Sequence, residues 1–333
     1  MVAMGRLETF SLSEVLQEPQ EETDWVIEDF VTTGLHLLVG PPKVGKSWMS
    51  LDMAICVAQG DQFLGFAAVK CDVLYLALED PRRRIKTRAW KLLDETSGNV
   101  DFAVAAEKVA SGLIPQIEDY LAEHPATKLV IIDTFQMVRD SKNDNAYAAD
   151  YNDLTPLKQL ADRSHIAIVV VHHTRKQGDS DVFNTVSGTN GITGCADSTM
   201  VLSNVNRADG NATLSLTGRD REFLELKIRF RQCRWLLIER TSQEELEERD
   251  VPDDVLRTID FMAACPSQWQ GTPTKLLGEI GAEGVSVAAF GKHLAEHSAF
   301  MAGRGISYQR ARTREGTVLT LSHIRTEAAS DVR

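Results

Sequence analysis

The stretch that most constrains this 333-residue chain is Gly40-Pro41-Pro42-Lys43-Val44-Gly45-Lys46-Ser47, which reads G-x-x-x-x-G-K-S. This is the phosphate-binding P-loop pattern, and its physics requires a strand before it and a helix after it. Both flanks comply. Leu35-His36-Leu37-Leu38-Val39 is a short apolar run suited to a buried strand, and Trp48 to Ala58 carries apolar residues at helical spacing. Glycines let the backbone wrap close to a phosphate, while amide N–H groups and the helix N-terminus face its charge. The pattern puts Lys46 on the outer phosphates of a nucleotide and the Ser47 hydroxyl on Mg²⁺. Gly40, Pro41, Pro42, Lys43, Val44, Gly45, Lys46, Ser47 and Trp48 therefore form the expected nucleotide-binding segment. Lys43 has no assigned contact of its own and reads as a solvated side chain.

Composition narrows the class. Apolar residues make up 43% and charged residues 25%, ordinary values for a globular protein with room for one large domain and a small one. No apolar run approaches the length of a membrane span, and Met1 to Glu21 lacks a basic-then-apolar signal pattern. Cys56, Cys71, Cys195, Cys233 and Cys265 are scattered and odd in number, with no C-x-x-C pair. They suggest neither a zinc site nor a disulfide framework, and a reducing cytoplasm fits. The formal net charge of −12 argues against bulk electrostatic binding to nucleic acid and leaves only local basic surfaces as candidates.

Beyond the loop, Cys71-Asp72-Val73-Leu74-Tyr75-Leu76-Ala77-Leu78 is a strand-like run ending in Glu79-Asp80-Pro81. An α/β sheet places its chemistry at the C-terminal ends of its strands. Glu79 is therefore the candidate to orient and activate a water against a γ-phosphate. The alternative is an acid at a helix N-terminus opened by Pro81, which suits Asp80 better than Glu79. Arg82, Arg83, Arg84, Lys86, Arg88 and Lys91 crowd the helix that follows, as a contact for nucleic acid or a neighbouring subunit, or as a solvated face. Lys128-Leu129-Val130-Ile131-Ile132-Asp133 is a β-branched strand capped by an aspartate, the position that holds Mg²⁺ in P-loop proteins. Ile166 to Val171 is another buried strand, ending in His172-His173-Thr174. No Cys or acidic partner stands at metal spacing from these histidines. Strand alternation turns one of them inward and the other toward the site, with His173 preferred as a γ-phosphate sensor.

Gly178 to Gly194 is rich in Gly, Ser, Thr and Asn, a mobile loop by composition, placed to grip a ligand such as a DNA backbone. Ser198 to Ser203, Thr213 to Thr217 and Trp235 to Glu239 read as further strands, antiparallel in character. Among them lie Gly218-Arg219-Asp220-Arg221 and later Lys227, Arg229, Arg231 and Arg234. An arginine here is a candidate to reach the γ-phosphate of a neighbouring subunit, Arg219 first and Arg221 second. Either can also be a surface arginine at a strand edge. Trp25 reads as a core or edge contact, or as a wall of the nucleotide pocket.

This order of strand, P-loop, strand-Glu, strand-Asp, strand-His-His, glycine loop and antiparallel extension resembles a known family. It is similar to the RecA-like core of hexameric replicative helicases, nearest to the RepA-type plasmid helicases and related phage or mobile-element ATPases. The resemblance spans Trp25 to Arg240 and rests on Gly40 to Ser47, Glu79-Asp80-Pro81, Asp133 and His172-His173-Thr174. It implies an α/β fold with a mostly parallel sheet flanked by helices, and ATP with Mg²⁺ at Lys46 and Ser47. It gives Glu79 the water-activating role, Asp133 the metal role and His173 the sensor role. It also implies DNA-contacting loops near Asp144 and Asp179, single-stranded DNA as partner, and a ring of subunits with ATP bound between them. The same core occurs in recombinases and in signalling ATPases of the RadA and KaiC kind, so the fold alone leaves the activity open.

Residues 241–252 are acidic and read as a linker. After them, Val255 to Ala264, Thr274 to Ile280 and Val287 to Phe300 read as three helices, with Pro266 to Gly271 as a break. Gly303 to Leu321 reads as a two-strand hairpin. Three helices and a basic hairpin resemble a winged-helix domain over residues 253–326, whose third helix is the groove-entering element. From Val285 to Arg325 six Lys/Arg face two acids, a phosphate footprint inside an acidic chain. A winged helix that binds protein is the alternative. Residues 1–24 are left as an N-terminal segment and 327–333 as a tail. The expectation is an ATP-hydrolysing DNA motor of a plasmid, phage or mobile element. Its competitors are an ATPase that loads or remodels other proteins and a nucleotide switch that binds duplex DNA.

Overall fold

The computed structural model describes residues 9–17, 23–93, 98–139, 146–174, 182–186, 190–206, 208–249, 251–265, 268–313 and 316–324. It divides into two compact units, Met1–Ser242 and Gln243–Arg333.

The first unit enters through α1 (Leu12–Gln17) and a small hairpin of β1 (Trp25–Ile27) and β2 (Val31–Thr32), then reaches β3 (Gly34–Gly40). Helix α2 (Lys46–Gln59) and a second small hairpin, β4 (Gln62–Phe63) with β5 (Phe66–Ala67), follow. The other parallel strands are β6 (Asp72–Ala77), β7 (Val100–Ala103), β8 (Thr127–Asp133), β9 (Ala167–His173) and β10 (Ser198–Ser203). Between them run α3 (Arg82–Leu92), α4 (Leu113–Glu123), α5 (Ala146–Ser164) and α6 (Asn190–Cys195). An antiparallel extension, β11 (Asn211–Gly218), β12 (Leu224–Arg231) and β13 (Arg234–Ser242), completes a nine-stranded sheet in the order β13-β12-β11-β10-β3-β9-β8-β6-β7.

Period-two alternation explains how the sheet is covered. Leu38, Ile131, Val169 and Val171 point into one core, closed by α2 and by Ile85 and Leu92 of α3. Leu35, Leu37, Val39, Val130, Ile132, Ile168 and Val170 point into the other, closed by Leu113 and Ile117 of α4 and Leu154, Leu157 and Leu160 of α5. Strands buried on both faces must be apolar throughout, as the parallel ones here are. This is the expected α/β architecture with a large, mostly parallel sheet between helices. No helix among the described residues is long and apolar enough to cross a membrane.

Strand β12 departs from expectation. Its basic residues hid a period-two pattern in which Leu224, Leu226 and Ile228 are buried while the charges between them turn outward. Strand β9 also runs further than its apolar core, taking in both His172 and His173.

In the second unit, α7 (Gln243–Arg249) occupies much of the acidic stretch read as a linker, directly after the end of β13 at Ser242. Then come α8 (Asp253–Ala264), β14 (Trp269–Gly271), α9 (Pro273–Glu279), α10 (Val287–Glu296), α11 (Ser298–Gly303), β15 (Ile306–Thr313) and β16 (Gly316–His323). The three strands form a sheet in the order β14-β16-β15 around a core of Val255, Met262, Leu276, Phe290, Leu294, Met301, Leu319 and Leu321. The break expected over Pro266 to Gly271 instead carries β14, where Trp269 pairs with Leu321 of β16. The helix expected over Val287 to Phe300 is two, α10 and α11, parted at His297.

Candidate nucleotide-binding site

The loop after β3 turns through two left-handed residues, Lys43 (φ 61°) and Gly45 (φ 102°), and delivers Lys46 as the first residue of α2. Gly45 is demanded twice. Its backbone lies where side chains strain, and a Cβ there would stand 3.2 Å from the Trp235 indole of β13. The same indole Nε1 donates to the Gly45 carbonyl at 3.2 Å, so the antiparallel extension braces the loop from beneath.

Above the C-terminal ends of the parallel strands lies a cleft of about 410 Å³, lined by Lys43, Gly45, Lys46, Ser47, Trp48, Glu79, Asp80, Asp133, Thr134 and His173, with Arg84 and Arg88 at one side. This is where a doubly wound sheet holds its ligand. Pro41 and Pro42 are exposed and contribute backbone; Gly40 ends β3 against Leu202.

Lys46 is buried. Its ammonium donates to the carbonyls of Gly40 (2.6 Å) and Pro41 (2.8 Å) and to His173 Nδ1 (3.2 Å). Burial pulls its pKa down to about 8, against the pull of Asp133 and Glu79. Burial and the Lys46 charge lower the His173 pKa, which keeps that ring a neutral acceptor. His172 turns the other way, buried edge-on against Phe135 with ring centroids 5.7 Å apart. Among the described residues no cluster of His, Cys, Asp and Glu is built to hold a metal ion by itself.

Asp133 ends β8 in register with Ala77 of β6. Its Oδ2 accepts from the Tyr75 hydroxyl at 2.8 Å, and Tyr75 in turn meets Ser50 Oγ at 2.8 Å. Burial raises the Asp133 pKa, opposed by the hydroxyls of Ser47 and Tyr75. Its Oδ1 is buried without a hydrogen-bond partner. A buried carboxylate oxygen left open beside the Ser47 hydroxyl fits a hard cation. Mg²⁺ characteristically takes one or two protein oxygens and completes its shell with water and phosphate.

Glu79 lies two residues beyond β6, and its Oε1 accepts from Thr134 Oγ1 at 2.9 Å. Asp80 is occupied differently, paired with Arg84 (2.7 Å) and with Arg88. Arg88 and Lys91 also lie over the Trp48 ring, 5.3 and 5.9 Å from its centroid. Part of the basic cluster on α3 is thereby engaged by contacts within the chain, at its surface. Arg82, Arg83 and Lys86 instead line a groove with Phe102 and Val104.

Arg219 and Arg221 are not in this cleft. Gly218 pairs with Ser198, and Ser198 with His36 near the start of β3, so both arginines lie toward the opposite end of the sheet from the P-loop. The Arg219 side chain is 57% exposed, 3.7 Å from Asp197, and donates to the Gly194 carbonyl. Arg221 is half-buried, donates to the Phe30 carbonyl and packs over the Phe30 ring. Trp25 adjoins Phe30, His36 and Arg221 at that same end, away from the P-loop cleft. The loops around Asp144 and Asp179 lie outside the described residues.

Sequence reasoning missed Tyr75, Thr134 and Trp235. A buried tyrosine hydroxyl on a central strand does signal a polar partner. The other two reach the site across 55 and 190 residues of chain, with no local signal.

Comparison with known proteins places this geometry. A family model described as AAA domain, AAA_25, matches residues 5–179. No curated protein matches the chain. Among solved structures, the ATPase domain of G40P superposes with a TM-score of 0.50 at 13% identity, over 62% of this chain and 85% of that one. A DnaB-like replicative helicase, from a structure addressing its interactions with primase, gives 0.53 at 13% identity, over 68% of this chain and 66% of the helicase. At such identity the likeness is one of fold. The family match covers more than half of the sequence and contains the loop, Glu79, Asp133 and His173, and on that ground the chain belongs to the AAA_25 family of AAA domains and is an ATP-hydrolysing enzyme.

Proposed function

We propose that the protein is an ATP-driven DNA motor, a ring-forming replicative helicase of a plasmid, phage or other mobile element. The observation that carries this reading is a division of labour along one sheet. Lys46, Ser47, Glu79, Asp133 and His173 converge on a single cleft, while Arg219 and Arg221 lie at the far end of the strands. Four to five residues of strand separate the two ends, on the order of 15 Å. An arginine there serves catalysis only in a neighbouring copy, which is what a ring with ATP between subunits, six in the related helicases, provides.

In this reading Lys46 neutralises the outer phosphates. Ser47 and Asp133 hold Mg²⁺, which when bound shields charge on the phosphate oxygens. Glu79 orients the attacking water and takes its proton. Neutral His173, beside Lys46, reads the γ-phosphate by a hydrogen bond. Arg219, the more exposed of the two arginines, reaches into the next subunit's cleft; Arg221 is tied to Phe30. The second unit is read as a winged helix, with α10 as its groove-entering helix and exposed Arg310 and Arg312 on β15 as the duplex contact.

The test is steady-state ATP hydrolysis without DNA, with single-stranded DNA and with duplex DNA, with Lys46→Ala as blank. Strong stimulation by single strands supports the motor, and unwinding of a forked substrate completes the case. Turnover indifferent to DNA overturns it. The basic hairpin favours a second reading, a nucleotide-switched regulator. Tight sequence-specific duplex binding, lost in Arg310→Ala/Arg312→Ala, together with hydrolysis indifferent to single strands, would establish that reading instead.

A further inference from the structure

Thr134 follows the candidate metal-binding aspartate directly and is only 3% exposed. Its hydroxyl donates to Glu79 Oε1 at 2.9 Å. The backbone around this contact is fixed on both sides. The Leu78 N–H donates to the Asp133 carbonyl at 2.8 Å, and Ala77 pairs with Asp133, so the ends of β6 and β8 are locked together where the two side chains meet. Glu79 has two carboxylate oxygens. One of them, Oε1, accepts this contact, and the residue itself lines the cleft. Among the described residues no other side chain donates a hydrogen bond to Glu79, whereas the adjacent Asp80 is held by two arginines. Burial and the nearby Glu79 carboxylate both raise the Asp133 pKa, the second because like charges repel. A neutral hydroxyl donor steadies Glu79 against that repulsion without adding a further charge.

We infer that Thr134 is the positioning residue of the hydrolytic step: it sets the rotamer of Glu79 and so aims the free carboxylate oxygen at the attacking water. This rests on Glu79 as the general base. The strand-end lock means that Thr134 acts through one hydroxyl and not through the course of the chain.

The experiment compares Thr134→Val, Thr134→Ser and Glu79→Gln in the full-length protein. It measures kcat, KM for ATP, equilibrium affinity for a non-hydrolysable ATP analogue, and the melting midpoint. Val keeps the branched shape and removes the donor; Ser keeps the donor. The expected result is a kcat about 10- to 100-fold lower in Thr134→Val, the cost of a misaimed reacting group. Analogue affinity and melting midpoint stay at wild-type values, and Thr134→Ser recovers most of the kcat. Wild-type kcat in Thr134→Val, or no recovery with Ser, overturns the inference. So does a loss of analogue affinity parallel to the loss of kcat, which marks a role in shaping the pocket. Normal hydrolysis by Glu79→Gln removes the base assignment itself and is a separate failure. An inactive Glu79→Gln beside a fully active Thr134→Val sinks the positioning role alone.

Discussion

Lys46 is the buried cation of the candidate site. The protein alone holds its pKa at about 8, because burial outweighs the attraction of Asp133 and Glu79. A bound triphosphate favours the charged form and pushes the pKa back up. As pH rises through 8 the free protein loses the ammonium proton, and binding must restore it. ATP affinity is therefore expected to fall above pH 8, with uptake approaching about one proton per site. Calorimetry in buffers of different ionisation enthalpy reads this directly; a buffer-independent heat at pH 8.5 contradicts it. Glu79→Gln should bind ATP normally and lose hydrolysis by at least about 100-fold, the usual worth of a positioned base. That these candidate residues would meet in one cleft was legible in the sequence, because the proposed chemistry demands a fixed spacing and a strand end. Their supports were not. Tyr75 on Asp133 and Thr134 on Glu79 are made by the pairing of β6 with β8, which no local pattern encodes.

Among elements, β13 carries more than its place in the extension suggests. Its Trp235 is buried beneath Gly45 and donates to that residue's carbonyl. Trp235→Phe keeps an aromatic ring but deletes the donor. It should cost about 1 kcal/mol of stability and raise KM for ATP severalfold, with kcat little changed. Thermal melting and steady-state kinetics check the two halves. Gly45→Ala should be worse on both counts, since it adds left-handed strain to the 3.2 Å approach of the indole. The parallel strands were readable because burial on both faces leaves a continuous apolar run. Strand β12 was not, because its outward basic residues read first as a charged stretch. Strand β14 is only three residues long and owes its existence to β16, fifty residues further along.

At the scale of the whole molecule, one copy holds its cleft and its candidate arginines toward opposite ends of a sheet. A ring built on that arrangement predicts complementation. Lys46→Ala and Arg219→Ala should each be nearly inactive alone. Mixed, they should recover part of the activity, because some interfaces then pair an intact Lys46 with an intact Arg219 from the neighbour. Turnover in the mixture equal to the sum of the separate proteins contradicts the trans role. Normal hydrolysis by both Arg219→Ala and Arg221→Ala places the trans arginine elsewhere.

The indole under the P-loop has a practical corollary. Of the five tryptophans, Trp48 follows Ser47 directly and Trp235 holds the Gly45 carbonyl, so two fluorophores flank the candidate phosphate-binding loop. Indole emission responds to hydrogen bonding and to nearby charge, and Trp48 lies under Arg88 and Lys91. Nucleotide binding is therefore expected to change the indole emission of the protein. Stopped-flow traces of unlabelled protein can time nucleotide arrival and departure, and Trp235→Phe separates the two contributions.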